Sequence, residues 1–102
     1  MLTVETADTD GQPRVIMDGD LTFATVGDAH TALSQYRGSE IGLELRDLGA
    51  IDLAGLQLLY AAAQSTAPDG PVVTLVDTPA MARFRAMAEY CGLPPLGTVP
   101  RG

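Results

Sequence analysis

"EIGLELRDLGAIDLAGLQLLYAAA", residues 40–63, changes its hydrophobic period halfway along. Ile41, Leu43 and Leu45 alternate with Gly42, Glu44 and Arg46, and this period of two specifies a half-buried strand over 40–48. From Asp52 onward apolar residues recur at helical spacing, with Leu56, Leu59, Tyr60 and Ala63 on one face. Asp52 is placed to cap a helix over 52–64 by accepting from the amides of Ala54 and Gly55, worth about 1 kcal/mol. Ile51 before the cap and Leu56 four residues after it form a hydrophobic staple.

The opposite face of this helix carries Leu53, Ala54, Gln57, Ala61 and Gln64, with no charge among them. A neutral face of small residues permits close approach of another protein. Leu53 stands out, because the staple already supplies the apolar contact at this end. Two readings remain open for it: an apolar anchor facing a partner, or a side chain folded back into a loop or beneath the sheet.

Outward from this stretch the chain keeps alternating. "LTVETA" (2–7) and "PRVIMDG" (13–19) read as strands, and the turn "DTDGQ" (8–12) between them makes an antiparallel pair. "TVGDAHTALSQYR" (25–37) reads as a helix capped by Thr25, with Val26, Ala29, Leu33 and Tyr36 inward. After a turn at "APDGP" (67–71), "VVTLVD" (72–77) is a short strand. "TPAMARFRAMAEYCGL" (78–93) is a helix with Thr78 as cap, Pro79 at its first position and Gly92 as its stop. The expected fold is therefore α/β: a small mixed sheet of about four strands, the first pair antiparallel and the later strands parallel, with three main helices. The polar alternate face of strand 40–48 predicts that helices cover one side of the sheet more fully. Residues 1–93 make one domain, and "PPLGTVPRG" (94–102) is a C-terminal tail with little to order it.

Composition narrows the function. Net charge is −7 and all six basic residues are Arg, which argues against nucleic acid and against an anionic membrane surface. The absence of Lys beside abundant Ala and Gly fits a GC-rich bacterial genome. No leader and no apolar run of bilayer length is present, so the expected compartment is the cytosol.

Catalytic and metal chemistry find little support. His30, the only histidine, lies outward near Asp28 and Ser34 on one helix, which cannot supply a converging triad. Cys91 is expected to pack as a small hydrophobe beside Met87 and Phe84. Asp18, Asp20, Asp28, Asp47 and Asp52 match no calcium loop, and "GDLTFATVG" (19–27) lacks P-loop spacing and its Lys. No enzyme, cofactor or metal is expected.

"LRDLGAIDLAGLQLL" resembles the core motif of the STAS domain, named for sulfate transporters and anti-sigma-factor antagonists. "DGDLTFATVGDAHTAL" resembles the segment leading into the family's first helix, and "LVDTPAMARFRAMAEYCGL" its last strand and helix. The likeness covers about residues 13–93, and "AGLQLL" is similar to STAS proteins of bacterial chemotaxis-type signalling clusters. It implies a small mixed sheet with helices and a switch protein that binds a partner kinase or anti-sigma factor. In that family the partner phosphorylates a hydroxyl next to the Asp. Here that position is Leu53, followed by Ala54, so the phospho-acceptor is lost.

The resemblance thus implies a non-catalytic regulator of a serine kinase or anti-sigma factor, with Asp52, Leu53, Ala54, Gln57 and Ala61 as partner-binding residues. A cytoplasmic accessory subunit of an ABC-type lipid transporter is the alternative, and a homodimer is a further candidate assembly. Thr22, Thr25, Ser34, Ser65 and Thr66 are alternative candidate phosphorylation sites, although caps and solvent-facing polar groups explain them equally.

Overall fold

Two β-bulges in one strand explain where the sequence pattern breaks. The computed structural model describes residues 1–9, 12–36, 40–63 and 72–94. In chain order its elements are β1 (Leu2–Thr9), β2 (Gln12–Leu21), α1 (Val26–Ser34), β3 (Glu40–Ile51), α2 (Leu53–Ala63), β4 (Val72–Leu75) and α3 (Pro79–Tyr90). The four strands form one mixed sheet in the order β1-β2-β3-β4. β1 and β2 are antiparallel, while β2–β3 and β3–β4 are parallel, as the alternation of elements predicts.

β3 runs three residues beyond the expected strand. Met17 pairs with Leu45 but Asp18 with Asp47, and Gly19 pairs with Leu48 but Leu21 with Ile51. Each step inserts an extra residue into β3 and bends it. The inward residues are therefore Ile41, Leu43, Leu45 and then Leu48, a spacing that strict alternation does not anticipate. The two parallel strands stay paired to their carboxyl ends, which places the chain at 49–52 beside the chain at 21–23.

One core cluster joins the sheet to all three helices. It contains Val15, Met17 and Leu21 from β2, Ile41, Leu43 and Leu45 from β3, and Leu75 from β4. Leu48 of β3, Ala29 and Leu33 of α1, Leu56, Leu59 and Tyr60 of α2, and Ala80, Met81, Phe84 and Ala88 of α3 complete it. The inward face expected for α2 is the one observed, with Ala63 packed at the margin; on α1, Ala29 and Leu33 are inward and Tyr36 packs at the margin, while Val26, in the first turn, is half-buried outside the cluster.

The other sheet face carries the alternate residues, among them Glu44, which is only 2% exposed. Arg14 Nη1 lies 3.1 Å from its Oε1, and Arg46 Nε lies 3.6 Å from its Oε2. Arg46 also reaches Glu5 on β1 at 3.6 Å. The charges that mark β3 as half-polar are thus spent on one another across three strands.

Helix termini follow the sequence with two corrections. Thr78 is buried, its hydroxyl donates to the Leu45 carbonyl at 2.7 Å, and it accepts from the Met81 amide at 3.0 Å. Gly92 closes α3 at φ 84°, with the Leu93 amide donating back to the Ala88 carbonyl at 3.0 Å. Cys91, expected in the core, is exposed: its amide still makes the last helical bond, to the Met87 carbonyl at 3.1 Å, but as the C-cap it stands at the open end of α3. Thr25 precedes α1 but makes no side-chain cap bond; its hydroxyl is engaged in the preceding loop instead. Gln64, Ser65, Thr66, the turn at 67–71 and the tail beyond Pro94 lie outside the described residues.

Candidate functional site: an apolar pair around the Asp52 cap

The carboxyl ends of β2 and β3 meet at Asp52. Its backbone amide donates to the Leu21 carbonyl at 3.2 Å, and its own carbonyl accepts the first helical bond, from Leu56, at 2.9 Å. One carboxylate oxygen accepts from the Gly55 amide at 3.1 Å, as a capping Asp should. The other accepts from the Phe23 amide at 2.9 Å, twenty-nine residues back along the chain. Asp52 is therefore both a helix cap and a staple between two loops. These two amides hold its carboxyl below the usual carboxylate range, Phe23 contributing most.

Gly55 sets how close the helix comes. A Cβ there would collide with the Leu21 carbonyl oxygen, so only glycine lets the first turn of α2 sit on the end of β2. Asp20 makes a second clasp on the same pole. Its carboxylate accepts from the Ala50 amide at 2.8 Å and from the terminal ammonium of Met1 at 2.7 Å. The ammonium contact, then the Ala50 amide, lowers its pKa. Between these clasps the Thr25 hydroxyl donates to the Asp20 carbonyl at 2.8 Å and accepts from the Thr22 amide at 2.9 Å. From α3, Arg83 donates to the carbonyls of Leu48 and Gly49. Both loops are thus tied by their backbones.

Their side chains are left outside. Leu53 is 63% exposed and Phe23 81% exposed, each attached within one residue of the Asp52 clasp. The reading that folded Leu53 back into the core is excluded by that exposure. Gln57 and Ala61 share its exposed face, while Ala54 is half-buried. Isolated exposed leucines need no explanation, but two large apolar groups flanking one rigid clasp do.

Phe23 is the residue that sequence reading overlooks. It sits in "DLTFATVG", a loop with no periodicity, and nothing local shows that its amide will dock on Asp52. The signal available was the type of residue: an aromatic in a stretch otherwise reading as turn.

The other sequence candidates do not gather here. His30 lies exposed on α1 and Cys91 beyond the end of α3. Asp28 is in the first turn of α1, whereas the clasps use the carboxylates of Asp20 and Asp52. Among the described residues no three or more His, Cys, Asp or Glu side chains group to hold a metal ion. Nor is any described helix long and apolar enough to cross a membrane. No family model matches the chain, and no curated protein matches it.

Proposed function

We propose that this chain is a non-catalytic docking module of the anti-sigma-factor-antagonist kind, which engages a regulatory protein such as a serine kinase or anti-sigma factor through the pole around Asp52. The observation that carries the reading is the outward placement of Phe23 and Leu53 on loops already pinned by Asp52, Asp20 and Arg83. Apolar groups held on a fixed frame lose little conformational entropy when a partner covers them. The neutral Gln57 and Ala61 continue the same surface along α2.

The likeness of "LRDLGAIDLAGLQLL" to the STAS motif supports the choice of partner class. On that reading Leu53 occupies the position of the phosphorylated hydroxyl. A leucine carries no phosphate, so no charge can be written there to release the partner. Binding would then be set by the amounts of the two proteins rather than by a modification cycle at this position.

The test is a titration against the serine-kinase-type anti-sigma factor of the same genome. Leu53→Asp places a carboxylate in the first turn of α2, where the helix dipole favours it, so folding is preserved. Binding should weaken by about 2 kcal/mol, or about thirtyfold. Equal affinity of parent and variant would remove the pole from the interface.

A further inference from the structure

The outer edge of the sheet offers a second, independent surface. No described strand pairs with β1 on the side away from β2. β1 is eight residues long, continuous in register, and free of proline, bulge and lysine; of the usual devices that keep an edge from pairing it carries only the two acids Glu5 and Asp8. The opposite edge, β4, is only four residues long.

Register shows which groups face outward. The Asp20 amide donates to the Met1 carbonyl at 3.0 Å, so Met1 and Asp20 form a hydrogen-bonded antiparallel pair. Such pairs alternate, so Thr3, Glu5 and Ala7 also bond to β2. Leu2, Val4 and Thr6 then direct their amides and carbonyls to the open edge. The pairing of Asp8 with Pro13 agrees, since Pro13 has no amide to give at what must be a non-bonded pair.

We propose that β1 pairs antiparallel with β1 of a second copy of this chain, about a two-fold axis at Val4, joining the two sheets into one. In that register Val4 faces Val4, Leu2 faces Thr6, and Thr3 faces Glu5 of the other copy. The strand is complementary to itself there: a β-branched pair at the centre, apolar or hydroxyl residues on either side, and no like charges opposed. A slide of two residues one way would set Glu5 against Glu5, and a slide of two the other way would set Thr3 against Thr3 and leave only about four ladder hydrogen bonds, so the register centred on Val4 is preferred. Roughly six ladder hydrogen bonds result. Leu2, Val4 and Thr6 also line a groove of about 410 Å³ whose other wall is Asp28, Thr31, Ala32 and Gln35. The same three side chains of the second copy, being on the same sheet face, enter that groove.

Sedimentation equilibrium and thermal melts decide the matter. The parent should form a dimer of twice 10.6 kDa, with a dissociation constant between about 10 µM and 1 mM. Thr6→Pro deletes an outward amide and no inward one, so it should melt near the parent and remain monomeric at about 1 mM. Thr3→Glu opposes Glu5 across the axis and should raise the dissociation constant about three- to tenfold, while Thr3→Lys should lower it. These two also test the register if Thr6→Pro does not fold. A parent monomeric up to about 1 mM, a folded Thr6→Pro variant that still dimerises, or Thr3 variants that leave the constant unchanged would each overturn the proposal. Because the docking pole is not involved, Leu53→Asp should leave the dimer unchanged.

Discussion

At the scale of single residues, Leu53 and Gly55 show how two neighbours in one helical turn carry opposite constraints. Leu53 is outside and contributes little to folding, so its replacement by Asp should move the melting temperature hardly at all. Gly55 is buried against the Leu21 carbonyl, and its exchange should do the reverse. Alanine favours a helix interior over glycine by about 1 kcal/mol. At this position the collision outweighs that gain, and Gly55→Ala should lower stability by about 2 kcal/mol in a urea titration. A variant as stable as the parent would mean that α2 can lift off β2 without cost. Sequence pattern identifies Gly55 only as a residue of the first turn. Its necessity arises from a carbonyl thirty-four residues earlier, and no local signal encodes that approach.

At the scale of elements, the clasps join loops that secondary structure alone would leave independent. The carboxyls of Asp52 and Asp20 are both held below their ordinary values, chiefly by the Phe23 amide and the Met1 ammonium respectively. Their contribution to stability is therefore complete above the unfolded carboxylate pKa, about 3.9, and is lost as pH falls through the lower folded values. The melting temperature should drop on that acid side, and Asp52→Asn should flatten the drop; a variant with the parent's full acid dependence would show that the clasp at Asp52 contributes nothing to it. Thr78 makes a comparable tie between α3 and β3, and is buried. Thr78→Val leaves the Leu45 carbonyl and the Met81 amide without that hydroxyl and should cost about 2 kcal/mol by chemical denaturation.

The elements were legible to different degrees. Period-two and helical spacing placed β3 and α2 within three residues of their observed bounds. The Thr78–Pro79 pair and Gly92 marked both ends of α3. Cys91 keeps the helical bond to Met87, but it is the cap at the end of α3, and periodicity alone does not show that the position is exposed there. The end of β3 was hidden because its bulges break the alternation on which strand reading depends. Asp52 was legible as a cap, since capping is local. Its second bond, to Phe23, is a tertiary contact and had no sequence signature.

For the whole molecule, the sheet separates three kinds of surface. One face carries the core and all three helices, and the other carries the Arg14–Glu44–Arg46–Glu5 chain of charges. The carboxyl ends of β2 and β3 form the pole where Phe23 and Leu53 emerge. The topology makes this pole by pairing two parallel strands to their ends. Amide chemical-shift mapping with the serine-kinase-type anti-sigma factor of the same genome locates the docking surface on the molecule itself. Perturbations should concentrate at residues 22–25 and 52–57 and continue along the outer face of α2. Shifts confined to β1 or to the charged sheet face, with the Phe23 and Leu53 amides unmoved, would contradict docking at this pole.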